Sequence, residues 1–431
     1  MISEKQNIDQ RKTNILKRIW FALLLVGPGF FSIGYTIGTG SVTSMAKAGS
    51  QYGMKLLWVL ALSCLFSWVL MEAYGRYGVV TGDTTIHSFK RYFPFGKTIA
   101  LLVALGVIIG QWSCLSGLVG LSARALYEAL RLFIPALHSE NYWFVLGIAV
   151  FIMSFMYNLL LIGRYSFFEK VLVFFVSILG ISFIVSMFIV LPSPKEIVSG
   201  LIPSIPKVKG ARLIVAAFVG TTMAAPTFVI RPLLMKGKGW TKTDYKKQRR
   251  DSFVAALLMF IISGSIMAAA TGALFHRGLV IHKVLDMVYT LKPVAGRYAV
   301  ALFLVGTLSA GLSSILPITM VAPLLIADYR NGELDVKSKM FRILTAFACL
   351  MGLMVPILGA NPITAQIATQ VSQVFVLPLA ILGILYLTNQ KDLMGEHKAG
   401  FFLNLGMWTA FVFSCFISYT AVLAIKELFT I

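Results

Sequence analysis

Gly27-Pro-Gly-Phe-Phe-Ser-Ile-Gly-Tyr-Thr-Ile-Gly-Thr-Gly-Ser41 and Val219-Gly-Thr-Thr-Met-Ala-Ala-Pro-Thr227 are the two stretches whose reading decides this fold. Each lies inside a long apolar run, where an uninterrupted helix is the default. The first carries glycines at 27, 29, 34, 38 and 40 together with Pro28. Glycine inside a helix costs about 1 kcal/mol relative to alanine, so Gly38-Thr39-Gly40 predicts a break. In the second, Pro226 removes a backbone donor and clashes with the preceding turn, which predicts a break near the middle of that run. Two interrupted spans, five spans apart, are the pattern of an inverted repeat with a central binding site. Backbone groups freed at such breaks must line a protein-enclosed cavity, because lipid cannot satisfy them. Gly/Pro kinks that serve only close helix packing are the alternative.

Working outward from these stretches, the composition is that of a membrane protein. Of 431 residues, 58% are hydrophobic and only 13% charged, too little charge to cover a soluble domain. Runs such as Val171 to Leu191, Phe253 to Ala270 and Phe401 to Ile425 are long enough for a bilayer core of about 30 Å. The fold class is therefore an all-α membrane protein. Eleven spans are expected, at 20–48, 55–78, 97–129, 141–162, 167–192, 210–235, 252–275, 295–326, 341–360, 363–388 and 400–425. The first is too long and too rich in Gly and Pro for a cleavable signal peptide.

The tail 1–19 carries Lys5, Arg11, Lys12, Lys17 and Arg18, the basic flank of a cytoplasmic terminus. With that end inside, the cytoplasmic segments collect about 24 of the 38 basic residues, as the positive-inside rule requires. A multi-pass protein of the cell (inner or plasma) membrane is the expected setting. The net charge of +21 does not indicate nucleic-acid binding, since the cations sit in short loops. Lys236 to Arg250 reads as a solvated loop against anionic lipid, and Arg231 as a cation snorkelling to the cytoplasmic end of its span. Cys64, Cys114, Cys349 and Cys415 show no disulfide or zinc spacing and read as core thiols. No ATP-binding loop ending in Gly-Lys-Ser/Thr occurs, and no span carries a hydrolase motif, which argues against a primary pump and against an enzyme.

Other segments resemble a known family. Gly27-Pro28-Gly29-Phe30, Tyr52-Gly53 to Leu56-Leu57-Trp58-Val59-Leu60, Val80-Thr81-Gly82, Ala310-Gly311-Leu312-Ser313-Ser314 and Asp392-Leu393-Met394-Gly395-Glu396 resemble, in order and spacing, the NRAMP (natural resistance-associated macrophage protein) metal-ion transporters. The resemblance runs from about residue 20 to 425. It implies a leucine-transporter (LeuT) type fold with helices 1 and 6 broken. One five-helix repeat would occupy 20–192, its inverted partner 210–388, and an added helix 400–425. The family's Asp-Pro-Gly-Asn, whose Asp and Asn ligate metal, aligns with Gly38-Thr39-Gly40-Ser41. Its sixth-helix Ala, Met and Pro-His-Asn positions align with Thr221, Ala224, Ala225, Pro226 and Thr227. Gln370 matches the tenth-helix Gln, and the acidic residues of the third-helix proton route fall at Cys114 and Gly117.

The acidic residues, counted independently, lead to a similar place. None of the 17 Asp and Glu residues lies near the middle of an expected span. A dehydrated divalent cation normally needs carboxylate, imidazole or thiolate ligands, and membrane proton relays use Asp, Glu or His. The expected site is Gly38, Thr39, Gly40, Ser41, Thr221, Thr222, Ala224, Ala225, Thr227 and Gln370. Its amides and hydroxyls suit a small organic carboxylate, or a metal that arrives already chelated. The alternative is a divalent metal cation (Mn, Fe or Mg) with non-standard ligands, for which Cys114 or Met223 would have to stand in. A non-transporting sensor or scaffold is the third class. No cofactor and no metal site are expected. The coupling ion, Na or H, is left open, as is the oligomeric state, with a monomer sufficient.

Overall fold

The computed structural model describes residues 38–134, 137, 141–162, 166–208, 210–330 and 335–429. The expectations for the amino-terminal tail and for Gly27, Pro28, Gly29, Phe30 and Gly34 lie outside them. Every regular element is helical: α1 (Thr39–Tyr52), α2 (Leu57–Thr81), α3 (Thr85–Tyr92), α4 (Gly96–Phe133), α5 (Tyr142–Ile162), α6 (Ser166–Ile189), α7 (Pro194–Gly200), α8 (Ala211–Thr222), α9 (Ala225–Val229), α10 (Arg231–Gly237) and α11 (Tyr245–Ala273). There follow α12 (Ala299–Tyr329), α13 (Lys339–Gly352), α14 (Met354–Leu358), α15 (Pro362–Val371), α16 (Leu377–Asn389) and α17 (Phe401–Phe429). Helix is the favoured form for such a chain, because each segment then satisfies its own backbone without water.

Among the described residues nine helical stretches are long and apolar enough to cross a membrane, or ten if the pair bent by 120° between Val173–Ile189 and Pro194–Gly200 forms one span. The stretch Thr39–Thr81 takes in the end of the first expected span and all of the second. A short 3-10 turn at Gly53–Leu56 separates the two, with Gly53 at φ +60°. Large apolar side chains such as Trp143, Phe188, Ile343 and Phe402 are exposed on the outer surface, where lipid replaces water as their surroundings.

The predicted break of the sixth span is present, and the described part of the first span begins at the predicted position, with the residues before Gly38 outside the described ones. α1 begins directly after Gly38, whose backbone is extended and whose carbonyl accepts the first helical bond, from Val42 N at 3.2 Å. The sixth span stops at Thr222, turns through Met223 and Ala224, and restarts at Ala225 with Pro226 in its first turn. Proline is well placed there, since a first-turn N–H has no intrahelical acceptor. The Thr222 carbonyl next to the break accepts a hydrogen bond from Ser67 Oγ at 2.9 Å, so the interruption costs less than an orphaned carbonyl would. A further interruption was not expected. The tenth span passes through a 3-10 stretch, Ser372–Val376, between α15 and α16. Pro378, in the first turn of α16, is the local cause.

α4 packs against α12, α15, α5 and α13, while α11 packs against α1, α2 and α6. α8 lies against α15, α17 and α2. α1 and α8 also pack on each other, both beside α15. At one end of the bundle, Asp328 in the last turn of α12 accepts hydrogen bonds from Thr84 Oγ1, Ile86 N (3.0 Å) and His87 N (3.2 Å). Its carboxylate therefore caps the start of α3.

Arg231 does not snorkel. Its side chain is fully buried, and its guanidinium donates to Asp251 at 2.6 Å and to Ser252 Oγ at 3.0 Å. Close by, Gln248 Nε2 donates to the carbonyls of Met71 and Glu72, and Arg76 pairs with Glu72 at 3.0 Å. The correction has a simple cause: the partner, in the second turn of α11, sits 20 residues away in sequence, beyond any local spacing rule.

Candidate functional site

A small cavity of about 20 Å³ lies where the broken spans meet α4, α12 and α15. Gly38 and Gly40 face it from the start of α1, Thr221 and Ala224 from the broken sixth span, Ser314 and Ile318 from α12. Gln111, Cys114 and Leu118 contribute from α4, and Gln370 and Gln373 from α15 and the 3-10 stretch after it. The α4 residues are spaced i, i+3, i+7 and the two glutamines i, i+3, so each helix turns one face to the cavity.

Five of the expected site residues, Gly38, Gly40, Thr221, Ala224 and Gln370, are in this lining. Ser41 is buried just behind it and reaches Thr221 through a 3.0 Å contact between hydroxyls. Thr39, Thr222, Ala225 and Thr227 are buried but do not line the cavity. Met223 is buried outside the lining as well, so of the two stand-in ligands only Cys114 is in place.

Four side chains form a continuous line of contacts. Gln111 Nε2 donates to Gln373 Oε1 at 2.6 Å, Gln373 Nε2 to Gln370 Oε1 at 3.3 Å, and Gln370 Nε2 to Cys114 Sγ at 3.1 Å. Cys114 is thus not a plain core thiol: its sulfur accepts an amide hydrogen bond at the cavity wall. Glycine at position 40 is what admits the Gln370 amide, because a Cβ there would lie 2.2 Å from Nε2. Gly117, one turn along α4, lies against Gln366 and Thr369 of α15.

The lining holds no Asp, Glu or His. Among the described residues no three His, Cys, Asp or Glu side chains come together. Cys114 is the lining side chain that can carry negative charge. Gln111 and Gln373 went unnoticed in the sequence, and Ser314 was noted there only for the family resemblance. The i, i+3 spacing of Gln373 from Gln370 was the available signal.

Comparison with known proteins places this geometry. Residues 29–424 match the natural resistance-associated macrophage protein-like family. The chain is 25% identical over 403 residues to a divalent metal cation transporter MntH of Caldanaerobacter subterraneus, covering 90% of each. It is also 25% identical over 395 residues to the protein of the same description from Bacillus subtilis, covering 90% of this chain and 88% of the relative. In structure it resembles a histidine-to-alanine mutant of a manganese transporter of Eremococcus coleocola, with a TM-score of 0.70 at 16% identity, covering 95% and 89% of the two chains. It also resembles MhsT, solved in complex with L-phenylalanine, at TM-score 0.62 and 14% identity, covering 93% and 98%. The leucine-transporter type of fold is therefore shared, and with it a multi-pass arrangement in a membrane. Matched over nearly its whole length, the chain belongs to the natural resistance-associated macrophage protein-like family of transporters.

Proposed function

We propose that this chain carries a divalent metal cation across the cell membrane by alternating access, with the Cys114 thiolate taking the place of a carboxylate ligand. The observation that carries the reading is the position of the Cys114 sulfur, in the cavity wall and in contact with Gln370. The descriptions of the relatives support the same cargo class. In this conformation a cavity of about 20 Å³ has room for one water-sized particle, which suits a single ion. One thiolate with amide and hydroxyl oxygens is a mixed, comparatively soft ligand set. It favours iron, zinc or cadmium over magnesium and calcium. Thiolate ligation also releases a proton, so binding should weaken as pH falls.

Uptake of Mn²⁺, Fe²⁺ and Cd²⁺ into proteoliposomes tests this. The intact chain should take up at least one of them saturably, and Cys114→Ser should lower that uptake by about tenfold or more, the loss of one good ligand. Uptake that survives Cys114→Ser unchanged would remove the thiolate from the site. No metal uptake by the intact chain would remove the metal reading itself.

A second reading is a small carboxylate-bearing solute or a chelated metal. It is favoured by the start of α1 at the cavity and by the absence of acidic lining, since a helix N-terminus attracts anions. Thermal-shift measurements with amino acids, organic acids and free metals separate the two readings. Under either, the amino terminus is cytoplasmic, and the repeats occupy 20–192 and 210–388 with 400–425 added.

A further inference from the structure

A larger cavity of about 370 Å³ opens at one face of the bundle, lined among others by Gly120, Arg124, Tyr142, Lys283, Asn361 and Pro362. In the orientation proposed above this is the external face. Two of the helices in its walls, α4 and α15, also reach the central cavity. Along α15, Pro362 lines the outer cavity and Gln370 the central one, with Gln366 midway at i+4 spacing. Along α4, Gly120 lines the outer cavity and Cys114 the inner one, with Gly117 midway. Residues three and four apart share a helix face, so both stripes point into one seam.

The seam is closed at its midpoint by Gln366. That side chain is fully buried, yet neither its Nε2 nor its Oε1 has a hydrogen-bond partner. The amide is held between two glycines. A Cβ on Gly117 would lie 2.8 Å from Oε1, and one on Gly40 would lie 3.1 Å from Nε2. Thr39 Oγ1 and Ser122 Oγ are likewise buried without partners, both residues lying against Gly311. Buried polar groups without partners destabilise a fold, and a side chain that contributes only packing would be apolar at such a position.

We infer that Gln366 lines the route from the outer cavity to the central site, and that its amide meets the hydrated cargo when the seam between α4 and α15 opens. The inference rests on the transporter reading of the site with a metal cation as cargo. Gln366 is a gate residue, satisfied in the open conformation and unsatisfied in the closed one. The ligand class it suits is a cation with its water shell, since an amide offers an oxygen to the ion and donors to its waters.

Two variants test it. Gln366→Met keeps the volume and removes the polarity. It should raise the melting temperature of the purified full chain while lowering the maximal rate of Mn²⁺ uptake by about fivefold or more. A purely structural glutamine would give a lower melting temperature, and that result would overturn the inference. Gln366→Cys in proteoliposomes should react with a membrane-impermeant thiol reagent applied at the face bearing Asn361, above the reaction of the unmodified chain. Lack of such labelling, or full uptake by Gln366→Met, would equally overturn it. Melting and labelling need no cargo, so failure of the metal reading would leave both measurements decisive.

Discussion

Arg231→Met is expected to destabilise the protein by about 3–5 kcal/mol, the usual consequence of removing one partner of a buried ion pair. Arg231 is fully buried and Asp251 nearly so, with 2.6 Å between the charged groups. After the substitution the Asp251 carboxylate would stay buried without its guanidinium partner. The pair joins α10, the last piece of the interrupted sixth span, to α11. Its loss should therefore loosen that junction first. Replacing both residues, as Arg231→Met with Asp251→Leu, removes the stranded charge as well as the attraction and should recover most of the lost stability. Thermal melting of the parent, the two single variants and the double variant in detergent measures this. A double variant as unstable as Arg231→Met alone would show that the cost comes from lost shape rather than from the charge.

Gly220→Ala is expected to have an effect of similar size by a different route. A Cβ at position 220 would lie 2.1 Å from the backbone oxygen of Gln370 and 2.9 Å from its carbonyl carbon. Neither atom belongs to a flexible side chain, so α8 and α15 would have to separate. Overpacking of this kind costs about 1–3 kcal/mol even where side chains yield, and backbone contacts yield less. Because Gln370 also lines the central cavity, transport should fall together with the melting temperature. Gly180→Ala is the control: the new carbon would meet Ile262 at 3.8 Å, ordinary contact, and should leave both properties near those of the parent. Equal behaviour of the two variants would defeat the argument from close approach.

Much of the architecture was legible in the sequence because it follows from local chemistry. Pro226 cannot continue a helix, and the sixth span is interrupted there; Gly38-Thr39-Gly40 weakens one, and α1 begins directly after Gly38. Gln370 was legible through its position before Pro378. The readings that needed correction depend on partners distant in sequence. Arg231 carries no local sign of Asp251. Cys114 was read as a core thiol because cysteine is commonly buried, and only the approach of α15 gives its sulfur a polar neighbour. The 3-10 stretch at Ser372–Val376 went unread although Pro378 stood beside it, since a proline in a first turn is compatible with an unbroken span as well.

The carboxylate of Asp328 stands at the wrong end of its own helix, where the backbone dipole favours cations. It serves α3 instead, holding Thr84 and the amides of Ile86 and His87. The segment 85–92 is in effect a handle fixed to α12. During a rocking cycle it should swing with that helix as one piece, so spin labels placed on the two would keep a constant separation while labels on α3 and α10 drift apart and return.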